Sequence, residues 1–182
     1  MSDIPSRNIF LIGPMGSGKT AVGRQLARQL KLEFLDSDAE IEHRTGVDIP
    51  YIFEKEGEAG FREREREVID ALTQLSNVVI ATGGGAILLA ENREHLSSRG
   101  TVVYLEAGIE QQLERTRHGR QRPLLYTDDP EAKLRELMQF RMPLYQSLAH
   151  ITVSTDGRQV RAVTDEIMER LKESAVCGIN PT

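Results

Sequence analysis

The chain has 182 residues, 23 Lys and Arg against 28 Asp and Glu, and a formal net charge of −5. Hydrophobic residues make up 39% and charged residues 28%, ordinary globular proportions that exclude a disordered, collagen-like or fibrous chain. The acidic balance excludes a general nucleic-acid binder, which needs a basic surface, and the length suits a single domain able to bury its own core.

The apolar run Asn8-Ile9-Phe10-Leu11-Ile12 is closed by Gly13-Pro14. It is apolar on both faces, which predicts a fully buried strand. From Lys19 the pattern turns helical, with Val22, Leu26, Ala27 and Leu30 on one face. Glu33-Phe34-Leu35 predicts a second strand ending at Asp36. Val78-Val79-Ile80-Ala81 predicts a third, closed by Gly83-Gly84-Gly85. Val102 to Leu105 and Ile151 to Val153 predict a fourth and a fifth. Helices are expected at about 61–75, 110–117, 131–140 and 160–172. Strands alternating with helices imply a parallel sheet covered on both faces. Residues 37–60 and 117–130 are polar stretches that fit no strand. They are expected to pass over the ligand edge of the sheet. The tail from residue 174 is expected to fray.

Gly13-Pro14-Met15-Gly16-Ser17-Gly18-Lys19-Thr20 matches G-x-x-x-x-G-K-[ST], between a strand and a helix. Such a loop turns backbone N–H groups onto phosphate oxygens, and the helix N-terminus adds partial positive charge. Lys19 then reaches the outer phosphates and Thr20 offers a hydroxyl to Mg²⁺. The loop alone leaves GTPases, motor ATPases and small-molecule kinases open. No N-K-x-D guanine motif occurs, and a motor is usually larger.

Asp36-Ser37-Asp38 follows the second strand. Two carboxylates there suit an acceptor hydroxyl and a Mg²⁺ ion. The alternative is helix capping, since Ser37-x-x-Glu40 has the form of a capping box. Gly83-Gly84-Gly85 lets backbone approach a ligand, or simply turns the chain. Arg62 opens an alternating run through Glu67 that has the look of a solvated helix face. Phe53 and Phe61 suit a pocket wall or the core, and Met15 and Met142 suit packing. His43, His95, His118 and His150 show no metal-ligand spacing.

Cys177 is the single cysteine, so no disulfide can close within the chain, which fits a reducing compartment. No basic segment precedes an apolar stretch at Met1, and no run approaches the ~20 apolar residues of a membrane span. A cytoplasmic monomer without nucleic-acid or membrane partners is expected.

Taken in order, Gly13 to Thr20, Asp36-Ser37-Asp38, Gly57-x-x-Gly60-Phe61-Arg62-x-Arg64-Glu65, Thr82-Gly83-Gly84-Gly85, Arg122-Pro123-Leu124-Leu125 and Arg141-x-Pro143-Leu144-Tyr145 resemble the signature of shikimate kinases. The resemblance runs from about residue 7 to 171. It implies a three-layer α/β/α P-loop kinase, similar to nucleoside monophosphate kinases, with a five-stranded parallel sheet in the order 2-3-1-4-5. It implies one domain over 1–182, with an acceptor-binding segment at about 37–66 and a lid at about 116–130. The activity it implies is phosphorylation of the 3-hydroxyl of shikimate, on the route to chorismate and the aromatic amino acids, with ATP as co-substrate and Mg²⁺ as cofactor.

By position, the resemblance gives Asp38, Arg62, Gly83, Gly84, Gly85 and Arg141 to shikimate. It gives Gly16, Ser17, Gly18, Lys19, Thr20, Ala21, Arg115, Arg122 and Arg158 to ATP. Thr20 becomes the Mg²⁺ ligand, with Asp36 holding the ion through water. Asp38, Lys19 and Arg122 carry the catalytic roles, Arg122 from the lid, which is expected to order only with ligand. The chemistry agrees, because an Arg fork suits a carboxylate and an Asp suits a hydroxyl. A gluconate or nucleoside monophosphate kinase and a nucleotide-binding regulator without turnover are the rival readings. The arginines and the absence of a base-reading set weigh against the first. The intact Lys19, Thr20, Asp36, Asp38 and Arg122 weigh against the second.

Overall fold

The computed structural model describes residues 8–117 and 123–176. Five parallel strands form one sheet in the order β2-β3-β1-β4-β5, namely β1 (Asn8–Ile12), β2 (Glu33–Asp36), β3 (Val78–Ala81), β4 (Gly100–Glu106) and β5 (Ile151–Ser154). The expected strand order is the observed one.

Alternation along β1 divides the core. Phe10 and Ile12 join one cluster with Ile80 and Tyr104, while Ile9 and Leu11 join another with Val79, Val103 and Leu105. The first cluster is closed by α2 (Ser37–Thr45), α3 (Ile49–Thr73), α4 (Ala90–Arg99) and α6 (Pro130–Leu148). The second is closed by α1 (Lys19–Leu30) and α7 (Val160–Val176). Helices therefore cover both faces, which is what lets strands apolar on both sides stay dry. The eight-residue α5 (Ile109–Thr116) lies beside the phosphate loop.

Several boundaries differ from the sequence expectation. The helix foreseen at about 61–75 is the second part of α3, set off from the part that begins at Ile49 by a break at Gly57, where φ is 70° and ψ −175°. The helix α4 is unforeseen, because AENREHLSSR buries only Asn92 and Leu96. The helix expected to stop near residue 140 runs through Pro143 to Leu148. A mid-helix proline costs about 3 kcal/mol. Burial of Tyr145 and Leu148 beyond it offsets that cost. The last helix continues to Val176, past the expected fray at residue 174. Cys177 and His118 lie outside the described residues.

Candidate active site

At the carboxyl edge of β1 the chain turns through the glycine-rich loop into α1. Gly13 has a φ of 147°, and a Cβ there would lie 2.5 Å from the Leu105 carbonyl oxygen, so only glycine fits. Gly18, with a φ of 88°, precedes the first turn of α1. Lys19 folds back over the loop, its Nζ donating to the Gly13 and Pro14 carbonyls at 2.8 Å each and to Ser17 Oγ at 3.4 Å. Those carbonyls hold the ammonium where phosphate oxygens would compete for it. Ser17 is fully buried.

Asp36, at the end of β2, meets α1 across this cleft. The Thr20 hydroxyl donates to Asp36 Oδ2 at 2.8 Å, while Asp36 Oδ1 accepts from the Asp38 and Ala39 amides at 3.0 and 3.4 Å. Asp36 is thus the N-cap of α2. The capping-box reading, which gave that place to Ser37, is corrected by one residue. Ser37 is buried, and its Oγ instead accepts the Gly83 amide at 3.0 Å.

Two clefts adjoin here. One is bordered by Gly16, Gly18, Lys19, Thr20, Ala21, Asp36 and Arg115. The other is bordered by Ile49, Phe53, Phe61, Arg62, Glu65, Gly85, Arg141, Pro123 and Leu124. Met15, Asp38, Gly83 and Gly84 border both. The shared wall brings Asp38 between the phosphate loop and the arginines.

The second cleft is lined by a buried ion-pair system. Arg62 has a side chain 12% exposed, and its Nη1 donates to Glu65 Oε2 at 2.7 Å. Its Nε and Nη2 donate to Glu58 Oε1 at 3.3 and 3.0 Å. Glu65 is wholly buried, and burial pushes its carboxyl up from the usual range against the opposing pull of Arg62 and Arg141. Arg141 is also buried, on α6. One turn on, the Tyr145 hydroxyl donates to the Gly84 carbonyl, and its ring stacks on Tyr104 at 5.0 Å. Burial raises both phenols, Tyr104 to about 12.

A profile of the shikimate kinase family matches residues 15–172. The chain is 55% identical over 168 residues to a shikimate kinase of Methylococcus capsulatus, covering 92% of this chain and 94% of that one. It is 56% identical over 174 residues to one of Francisella tularensis subsp. novicida, covering 95% and 99%. The solved shikimate kinase of Acinetobacter baumannii in complex with shikimate superposes with a TM-score of 0.92 at 51% identity, over 94% of this chain and 96% of that one. The chain belongs to the shikimate kinase family. A gluconokinase from Sinorhizobium meliloti 1021, at 16% identity and a TM-score of 0.52, shares the fold alone.

Most positions that the family resemblance singled out converge on the two clefts. Arg62 is not on a solvated face. Its run divides by helical spacing, and Arg64 and Arg66 are the ones that pair outside, with Glu56, Glu63 and Glu91. Arg115 donates to the Gly16 carbonyl at 2.9 Å and to the Thr155 carbonyl at 3.3 Å, against the phosphate loop. Arg158 is not brought to the cleft. It is tied to Glu166 at 2.6 Å and to the Ser154 and Ala162 carbonyls. Arg122 lies outside the described residues.

Met15 and Glu65 are among the cleft residues not foreseen as site residues. Met15 sits at the junction of the clefts rather than in the core. Glu65 was hidden in the charged run, although Phe61, Glu65, Val68, Ile69 and Leu72 fall on one buried helical face. An acid in the middle of an apolar stripe was the available signal.

Proposed function

We propose that this chain transfers the γ-phosphate of ATP to the 3-hydroxyl of shikimate, giving ADP and shikimate 3-phosphate, on the route to chorismate and the aromatic amino acids. The observation that carries the reading is the shared wall of Met15, Asp38, Gly83 and Gly84, with Lys19 and Thr20 on one side and Arg62 and Arg141 on the other.

Arg62 and Arg141 grip the shikimate carboxylate, helped by the amides of Gly84 and Gly85, since that of Gly83 is held by Ser37. Asp38 accepts the 3-hydroxyl proton as the oxygen attacks the γ-phosphorus in line, while the bond to the β,γ-bridging oxygen breaks and its electrons leave with ADP. The transition state is loose, so orientation of the hydroxyl is the larger part of that role. Gly16, Ser17, Gly18, Lys19, Thr20 and Ala21 hold the phosphates. Arg122 on the lid reaches the transferred group, and Arg115 flanks the adenine.

No three His, Cys, Asp or Glu side chains converge into a metal group among the described residues. The Thr20–Asp36 oxygen pair suits Mg²⁺, which needs few protein ligands and keeps several waters. Bound there, the ion would neutralise phosphate charge.

The chain works as one domain and as a monomer, with an acceptor-binding segment at about 37–66 and a lid at about 116–130. Among the described residues no helix is long and apolar enough to cross a membrane, which supports a cytoplasmic site of action. The test is ADP release by the purified protein offered shikimate, gluconate or AMP. Release with shikimate alone is expected, and none with shikimate removes the reading.

A further inference from the structure

Glu65 places a carboxyl where a charge is hardest to hold. It is 0% exposed. Its Oε2 takes one Arg62 hydrogen bond, and its Oε1 is buried without a hydrogen-bond partner among the described residues. A Cβ built on Gly83 would sit 2.8 Å from both Glu65 Oε1 and Asp38 Oδ1, so the two carboxylates face the same glycine. The charged groups around Glu65 are Arg62 and Glu58 from α3, Arg141 from α6 and Asp38 from α2, with the neutral Tyr145 hydroxyl turned to Gly84.

Among the described residues of this cleft two guanidinium groups, Arg62 and Arg141, stand against two inner carboxylates, Asp38 and Glu65, with Glu58 outside. An anionic acceptor held by the same arginines adds a third inner carboxylate. Arg62 must also turn donors toward it, and two of its nitrogens are now on Glu58. Glu58, 48% exposed, can return to water. Glu65 cannot. The excess charge therefore falls on the one carboxylate that has neither solvent nor a second donor.

We propose that the anionic acceptor is taken up together with one proton, which Glu65 receives on Oε1. This rests on the function proposed above and adds a linkage to it. The proton removes the surplus charge and turns Oε1 into a donor facing the Gly83–Asp38 corner. Arg62 is then free to serve the acceptor. Glu65 acts here through the arginines and Asp38, as a positioning residue.

The linkage is read by calorimetric titration of shikimate into the nucleotide-free protein in two buffers of different ionisation enthalpy. Uptake approaching one proton per shikimate is expected, with Kd rising up to about tenfold per pH unit between the free and bound pKa of Glu65. In Glu65→Gln the uptake and the pH slope should vanish, whatever the affinity. The neutral primary alcohol analogue of shikimate should bind wild-type protein without uptake.

Infrared difference spectra of the wild type offer a second readout that needs no variant. A protonated carboxyl band should appear on adding shikimate, and its absence overturns the proposal. Binding with no proton exchange, or uptake that persists in Glu65→Gln, overturns it too. In both cases the proposed activity stands. No binding of shikimate at all overturns that activity and the linkage together.

Discussion

The Thr20 hydroxyl and the Asp36 carboxylate meet at 2.8 Å, and the other oxygen of the same carboxylate caps α2. One side chain thus ties the phosphate loop to the helix that carries Asp38. Asp36→Asn keeps a good N-cap, because an amide oxygen still accepts from the Asp38 and Ala39 amides. It loses the charge that orients a cation beside Thr20. Stability is expected to change by less than ~1 kcal/mol, while turnover at limiting Mg²⁺ falls roughly 10- to 100-fold. Urea unfolding and ADP release across a Mg²⁺ series measure the two effects separately.

Asp38 borders both clefts, so its removal should touch transfer rather than nucleotide binding. Asp38→Asn preserves size and leaves Lys19 and the loop unaltered. ATP affinity should stay within about threefold, and turnover should drop by roughly 10²- to 10⁴-fold, the range for a positioned acid–base group. Near-normal turnover in this variant would remove Asp38 from the mechanism.

The strands and the phosphate loop were legible in the sequence because each has a local cause. A strand buried on both faces has to be a short apolar run, and a loop that wraps phosphates has to be glycine-rich at fixed spacing. The acceptor side was less legible because its charges are buried by tertiary contacts. Nothing between Arg62 and Glu67 distinguishes an inward arginine from an outward one until the break at Gly57 and the stripe from Phe61 to Leu72 fix which face turns in. The continuation of α6 beyond Pro143 was illegible for a similar reason. Local propensity argues for a stop, and only packing of Tyr145 and Leu148 against the sheet outweighs it. Arg158 had no local signal to separate a nucleotide contact from its partner Glu166, eight residues on.

Arg62 reaches only the acceptor cleft. Arg62→Ala should raise KM for shikimate by about 10- to 100-fold, the loss of a charge-assisted hydrogen bond of about 1.5–3 kcal/mol. KM for ATP should scarcely move. Steady-state kinetics with each substrate varied decides the point, and a collapse of ATP affinity with shikimate affinity intact would reverse the site map.

Gly83 is packed by function rather than by fold. A methyl group there meets the ends of two side chains, Asp38 Oδ1 and Glu65 Oε1, at 2.8 Å each. Side-chain ends give way more easily than backbone, so Gly83→Ala should cost less than ~2 kcal/mol of stability. Both carboxylates must shift, however, and displacements near 1 Å can cost about 10²-fold in rate. A stable protein with strongly reduced turnover is expected. Full activity in this variant would mean that the position of neither carboxylate matters to the chemistry.

The buried acid also leaves a mark on folding, independent of any ligand. Burial holds the Glu65 carboxyl above its unfolded value of about 4.3. Between the two values the folded chain binds more protons than the unfolded chain, so a rise in pH favours unfolding. The contribution of Glu65 is complete below about pH 4.3 and is lost as pH climbs through the folded value, by at most ~1.4 kcal/mol per unit. Glu65→Gln has no such proton to lose. Urea unfolding of both proteins, followed from about pH 4.5 upward, should therefore show wild type losing stability relative to Glu65→Gln as pH rises, then running parallel. A difference that stays flat throughout, or that grows in favour of wild type, would show that the carboxyl is ionised in the fold at no cost, and that Arg62 and Arg141 together compensate its burial.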